Sequence, residues 1–250
     1  MFLKLILAII FHLGLQTANA ASVDSNVLDT TLTLVSSIRH AGDFAITQCP
    51  LNCSSSPPLG KSYPSHLAAP SPGLSLKYVA LGRGTQNYTC QNNDSATVPT
   101  ADGAVATLFD ASCLAAGYES LLGDLPAALV HIPHDAAVLA ALTLGQLSAS
   151  RNGSVVIAQH YFRDSTTPFF DFRPFGHPEW LAAKSEESVP APANIPIPGS
   201  VAWLKLGYKD GVGIKEVYRV VTAGGDPPST CKDQPPAIEV DYAAEYWFYG

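Results

Sequence analysis

Between His160 and Trp180 the chain concentrates side chains suited to handling a ligand. Seven aromatic rings, from Tyr161 to Trp180, are interleaved with His160, Arg163, Asp171, Arg173, His177 and Glu179. Aromatic faces stack on the C–H faces of sugar rings, while carboxylates and guanidinium groups bond hydroxyls. The plainer alternative makes the phenylalanines core and the charges its rim. His160 with Asp171 supplies the minimum for acid–base work, a titrating imidazole and a carboxylate to orient it. Arg83 and Arg219 are further charged residues inside strand-like motifs, as are Glu216 and Glu245. Buried between strands, an arginine–carboxylate pair is a fixture; lining a cleft beside His160, it acts on a substrate. The expected ligand-binding residues are Arg83, Gln86, Asn87, Tyr161, Trp180 and Arg219.

Other chemistries find no support. There is no Gly-x-Ser-x-Gly elbow and no His-Glu-x-x-His helix. In His131-Ile132-Pro133-His134-Asp135 the proline prevents both histidines from sharing one helical face, so a helix start explains the cluster better than a metal. Cys49 and Cys53 have metal-like spacing but no second such pair. Gly82-Arg83-Gly84 runs on into a strand and Gly211-Val212-Gly213 sits in a hairpin, so neither is a dinucleotide-binding turn. No metal or cofactor is expected, and nothing supports an NAD-dependent dehydrogenase.

These residues need a β scaffold to position them. Leu76 to Cys90 alternates apolar, then polar, residues around Gly82 and Gly84, which predict a bulge or bend in a central ribbon. Ala104–Phe109, Val155–Phe162, a hairpin of Val201–Tyr208 with Ile214–Val221, and Ile238–Tyr249 read as further strands. In the last of these Ile238, Val240, Tyr242, Ala244, Tyr246 and Phe248 share a face. Ser112–Leu122 and Asp135–Leu147 read as helices, with Asp135 able to cap the second. Ser25–Ile38 is near helical spacing, though its threonines leave a strand open. Phe169–Trp180 reads as irregular, Glu186–Ser200 as proline-broken loop, and Cys49–Pro72 as a loop wrapping the surface. The regular βαβ alternation of a parallel sheet is absent. The fold expected is mainly β, an antiparallel β-sandwich or β-barrel with two or three short helical insertions.

Composition places the chain. Residues 1–20 carry one lysine, an apolar core from Leu5 to Phe11 and a small-x-small ending at Ala18-Asn19-Ala20, the pattern of a secretory signal peptide. Beyond it, residues 21–75 read as an N-terminal segment with the wrapping loop, and residues 76–250 as one β-rich domain. Loss of Lys4 takes the formal charge from −7 to −8, which argues against nucleic acid or anionic membrane as partner. No later stretch is apolar enough to span a membrane as a helix. Five cysteines, Cys49, Cys53, Cys90, Cys113 and Cys231, imply two disulfides and one odd thiol in an oxidising compartment, with the pairing open. Asn52, Asn87, Asn93 and Asn152 each begin a glycosylation acceptor site.

The runs YVALGRGTQNYTC at Tyr78–Cys90, AVATLFDASC at Ala104–Cys113 and EVYRVVTAGG at Glu216–Gly225, with HYF and PFFDF around His160 and Asp171 and YAAEYWFY at Tyr242–Tyr249, carry a resemblance. Together they resemble a family of secreted fungal and bacterial proteins catalogued as a domain of unknown function, over roughly Pro70 to Phe248. Some fungal members bear the label malate dehydrogenase. The resemblance implies a shared scaffold and brings no catalytic residues with it.

The expected function is noncatalytic binding of a glycan or small ligand in the extracellular space or cell wall. The alternatives are a secreted enzyme using His160 with Asp171, and a structural wall or matrix component.

Overall fold

The computed structural model describes residues 51, 56–59, 67–147, 155–192 and 199–250. Eight strands form a closed antiparallel barrel in simple chain order: β1 Leu76–Thr89, β2 Thr100–Asp110, β3 Val156–Asp164, β4 Thr167–Asp171, β5 Trp180–Val189, β6 Trp203–Val212, β7 Glu216–Gly224 and β8 Ala237–Tyr249. Three helices, α1 Ser112–Gly117, α2 Glu119–Leu129 and α3 His134–Leu147, fill the β2–β3 connection. Closure pairs every strand on both sides and leaves no free sheet edge.

Alternation along each strand separates an inner from an outer face. Tyr78, Ala80, Gly82, Gly84 and Gln86 of β1 stand opposite Phe248, Tyr246, Ala244, Tyr242 and Val240 of β8, all inward. Ala106 of β2 pairs with His160, and His160 with Phe170 of β4. An eight-stranded barrel is only wide enough for its own side chains or one small ligand. Here alanines and glycines on β1, β2 and β8 face large rings from β4 and β8.

Much of the outer face is buried as well. Val79, Leu81, Tyr218, Val220 and Trp247 pack beneath Ala115 and Leu122 of the helices. Residues 67–71 are tied to the same wall. Tyr218 donates to the Ala68 carbonyl at 2.9 Å, Lys205 to that of Ala69 at 3.3 Å, and Ser71 donates to Glu216.

Several expectations need adjusting. The strand readings hold, but β2 is longer at both ends, and β6 and β7 start and finish later than expected, so that Asp210–Val212 belongs to β6 and not to the turn. Phe169–Trp180 is more regular than expected: it contributes β4, a short 3₁₀ turn at Arg173–Phe175 and the first residue of β5. The proline-broken segment starts later, because β5 continues to Val189. β1 runs unbroken through Gly82 and Gly84, and its irregularities lie at Leu76/Tyr78 and Gln86/Tyr88. The two glycines answer to close approach. A Cβ on Gly82 would meet the Tyr246 ring at 2.5 Å, and one on Gly84 would run into the Val105 carbonyl. α3 begins at His134, so Asp135 lies in its first turn. The expectation for Ser25–Ile38 falls outside the described residues.

Candidate functional site in the barrel interior

One end of the barrel is plugged. Tyr78 stacks on Phe172 with ring centroids 4.8 Å apart, and Phe172 meets Phe248 edge-on at 5.0 Å. Ile214 joins this cluster, and His177 covers it, its Nδ1 3.4 Å from the Tyr78 hydroxyl. Burial, with Glu179 nearby, pushes the Tyr78 phenol up to about 12. Towards the opposite end some inward-facing residues are less buried. Phe162 and Leu204 are only half-buried there, and Ser185 and Ser188, paired with inward-facing Leu206 and Leu204, are exposed.

Between the apolar plug and this end lies a polar belt. Arg219 enters from the middle of β7 and reaches towards this end, where Val201 and Gly225 lie close over Gln86 and Tyr242. Its Nη2 donates to the Ala202 carbonyl at 2.9 Å, and its Nη1 lies 3.4 Å from Gln86 Oε1. The Tyr242 and Tyr246 hydroxyls are 2.8 Å apart. His160 stacks on Phe170 at 4.4 Å, with its Nδ1 3.0 Å from the Phe169 carbonyl. Since that carbonyl can only accept, the proton sits on Nδ1 and Nε2 keeps a lone pair.

The electrostatics of the belt are unusual. Burial, reinforced by Arg219, lowers the His160 pKa to about 4, so the imidazole is neutral at physiological pH. Burial raises both Tyr242 and Tyr246 above the ordinary phenol range. Arg219, 8% exposed, has no carboxylate partner among the described residues. Its Nε is buried without a hydrogen-bond partner, while its guanidinium faces the Tyr246 hydroxyl and the Gln86 amide faces that of Tyr242. A guanidinium is always protonated, so this is a buried charge lacking a counterion. Two residues further along β7, Val221 sits at φ 46°, a left-handed conformation uncommon for a β-branched residue, where the β7–β8 register shifts.

The remaining sequence candidates scatter. Asp171 faces outward, opposite Gln159 and Trp180, and its Oδ1 accepts from Arg173 Nε at 2.7 Å. His160 and Asp171 are therefore on opposite sides of the barrel wall. Arg83 also faces outward beneath the helical connection, 1% exposed; it donates to the Ile132 carbonyl at 2.9 Å and pairs with Asp241 at 2.8 Å. It fastens that connection to the wall. Tyr161 and Trp180 lie outside, on either side of buried Phe169. Gln86 and Arg219 alone of the six ligand candidates meet, and the two tyrosines that complete their belt were not among those candidates. Their signal was their spacing on one face of β8.

Glu216 pairs with Lys205 at 3.7 Å on the outer wall. Glu245 is buried there with Trp247 Nε1 donating to it at 2.8 Å, and burial raises its pKa to about 8. Cys90 is bonded to Cys231, and Cys113 is also disulfide-bonded. Cys49 and Cys53 fall outside the described residues, as do Asn52 and Asn152. Asn93 is exposed, whereas Asn87 is half-buried on the outer face and its Oδ1 accepts from Thr85 at 2.9 Å.

No curated protein and no solved structure matches the chain. A family model described as protein of unknown function (DUF3455) matches residues 70–250, which contain the whole barrel. The chain belongs to that family.

Proposed function

We propose that the protein is an exported, noncatalytic binding protein whose barrel takes a small, largely apolar ligand bearing a carboxylate or similar anionic group. The observation that carries this reading is the Arg219 guanidinium, buried with no carboxylate partner among the described residues. An acid entering past Phe162 and Leu204 would neutralise the arginine and accept from Gln86, with its apolar body against the rings of His160 and Phe170. Binding is favoured over acid–base catalysis because His160 and both tyrosines are displaced away from neutral pH, in the directions that fix them uncharged. Export is supported by the Cys90–Cys231 disulfide and by the apolar N-terminal pattern, and no described helix is long and apolar enough to cross a membrane. The test is a thermal-shift series with benzoate, cinnamate, octanoate and their amides. The acids are expected to raise Tm and the amides to leave it unchanged; no shift with any acid, or equal shifts with the amides, would refute the reading.

A further inference from the structure

The outer wall of β3, β4 and β5 carries a second set of groups that the barrel interior does not use. Phe169, fully buried, forms a floor flanked by Tyr161 at 5.1 Å and Trp180 at 5.5 Å between ring centroids. Two exposed arginines lie over it. The Arg163 guanidinium is 4.2 Å from the Phe169 centroid and 5.5 Å from that of Trp180; Arg173 is 5.7 Å and 5.4 Å from the same rings. Asp171 holds Arg173 through both carboxylate oxygens, at 2.7 and 2.9 Å. Asp164 accepts from the Thr166 amide and hydroxyl. Arg163 has no carboxylate within ion-pair distance among the described residues. It is thus a cation without an ion-pair partner among the described residues, already ordered by an aromatic face.

We infer that this ledge is a docking site for a uronic-acid polysaccharide. Tyr161 and Trp180 stand on the outer two of three neighbouring strands, about 10 Å across the wall. Both are half-buried; Trp180 lies beneath the two arginines, which leaves Tyr161 to stack on the C–H face of a sugar. Arg163 is placed to take a uronate carboxylate, with the exposed Arg173 guanidinium, oriented by Asp171, beside it to bond hydroxyls. This site is independent of the ligand in the barrel, since its residues point away from the interior.

Affinity electrophoresis and titration with polygalacturonate, its fully methyl-esterified form and polyacrylate test the inference, using wild-type protein and the exposed-site variant Arg163→Gln. Polygalacturonate should retard the wild type and bind at least about fivefold more tightly than the ester, with a similar loss for Arg163→Gln. An unchanged ligand-free Tm in Arg163→Gln would show that the barrel is intact. Equal binding of the ester, equal binding of polyacrylate, an unaffected Arg163→Gln variant, or no retardation at all would overturn it.

Discussion

Tyr242 and Tyr246, four residues apart on β8, bring their hydroxyls within 2.8 Å of each other inside the barrel. A strand places such residues on one face, and the missing side chain at Gly82 leaves room for the Tyr246 ring. Their contact joins the apolar floor of the barrel to the belt around Arg219.

Replacing Tyr246 by Phe removes one hydroxyl and leaves that of Tyr242 short of a partner. The expected cost is about 1–2 kcal/mol in denaturant unfolding. A double-mutant cycle with Tyr242→Phe should give a coupling of about 1 kcal/mol; strictly additive losses would mean that the pair does not act as a unit.

The pH profile of stability should peak on the acid side of neutrality. Glu245 has a folded pKa near 8 against about 4.5 unfolded, so the native state holds the extra proton between them and stability falls as pH rises through that window. His160 works the other way. Its folded pKa near 4 lies below its unfolded value of 6.5, so stability is lost as pH falls from 6.5 towards 4. Their slopes oppose each other between about pH 4.5 and 6.5, and Asp171, held low by Arg173, adds to the loss below that. Chemical denaturation across pH 4 to 9 checks this. Glu245→Gln should remove most of the alkaline decline, on the order of a few kcal/mol; an unchanged decline would assign it elsewhere.

Cys90 follows the last residue of β1 and packs with Tyr88, and Cys231 approaches it from the loop before β8, closing a separation of 141 residues. Paired replacement by serine is expected to cost about 2–5 kcal/mol, a fall in Tm of roughly 4–20 °C. Differential scanning calorimetry measures it, and an unchanged Tm would mean that backbone pairing alone holds this end of the barrel.

How much of this was readable from the chain depends on which rule each feature obeys. Period two is local, so the inward face of β8 was legible, and the same rule puts Arg83 and Gln86 on opposite faces. His160 and Asp171 were not separable in this way. Between them lies the β3–β4 hairpin, and alternation cannot be carried through a turn whose length the sequence leaves open; the faces follow from the register that pairs His160 with Phe170 and Gln159 with Asp171. Nor could composition sort inner from outer rings, because helices and residues 67–71 bury much of the outside too. Gly82 and Gly84 were recognisable as places where a Cβ would obstruct. That the obstruction is a tyrosine ring and a neighbouring strand, with no bend, depends on tertiary contacts.

The central claim is that Arg219 is kept for a ligand and not for the fold. The direct measurement is paired: unfolding of ligand-free Arg219→Met, and its thermal shift with the acids that stabilise the wild type. Removing a buried charge that lacks a counterion should leave stability within about 1 kcal/mol of wild type, or raise it, while abolishing the response to the acids. A loss of about 3 kcal/mol or more with the acid response intact would contradict the account and make Arg219 a structural residue.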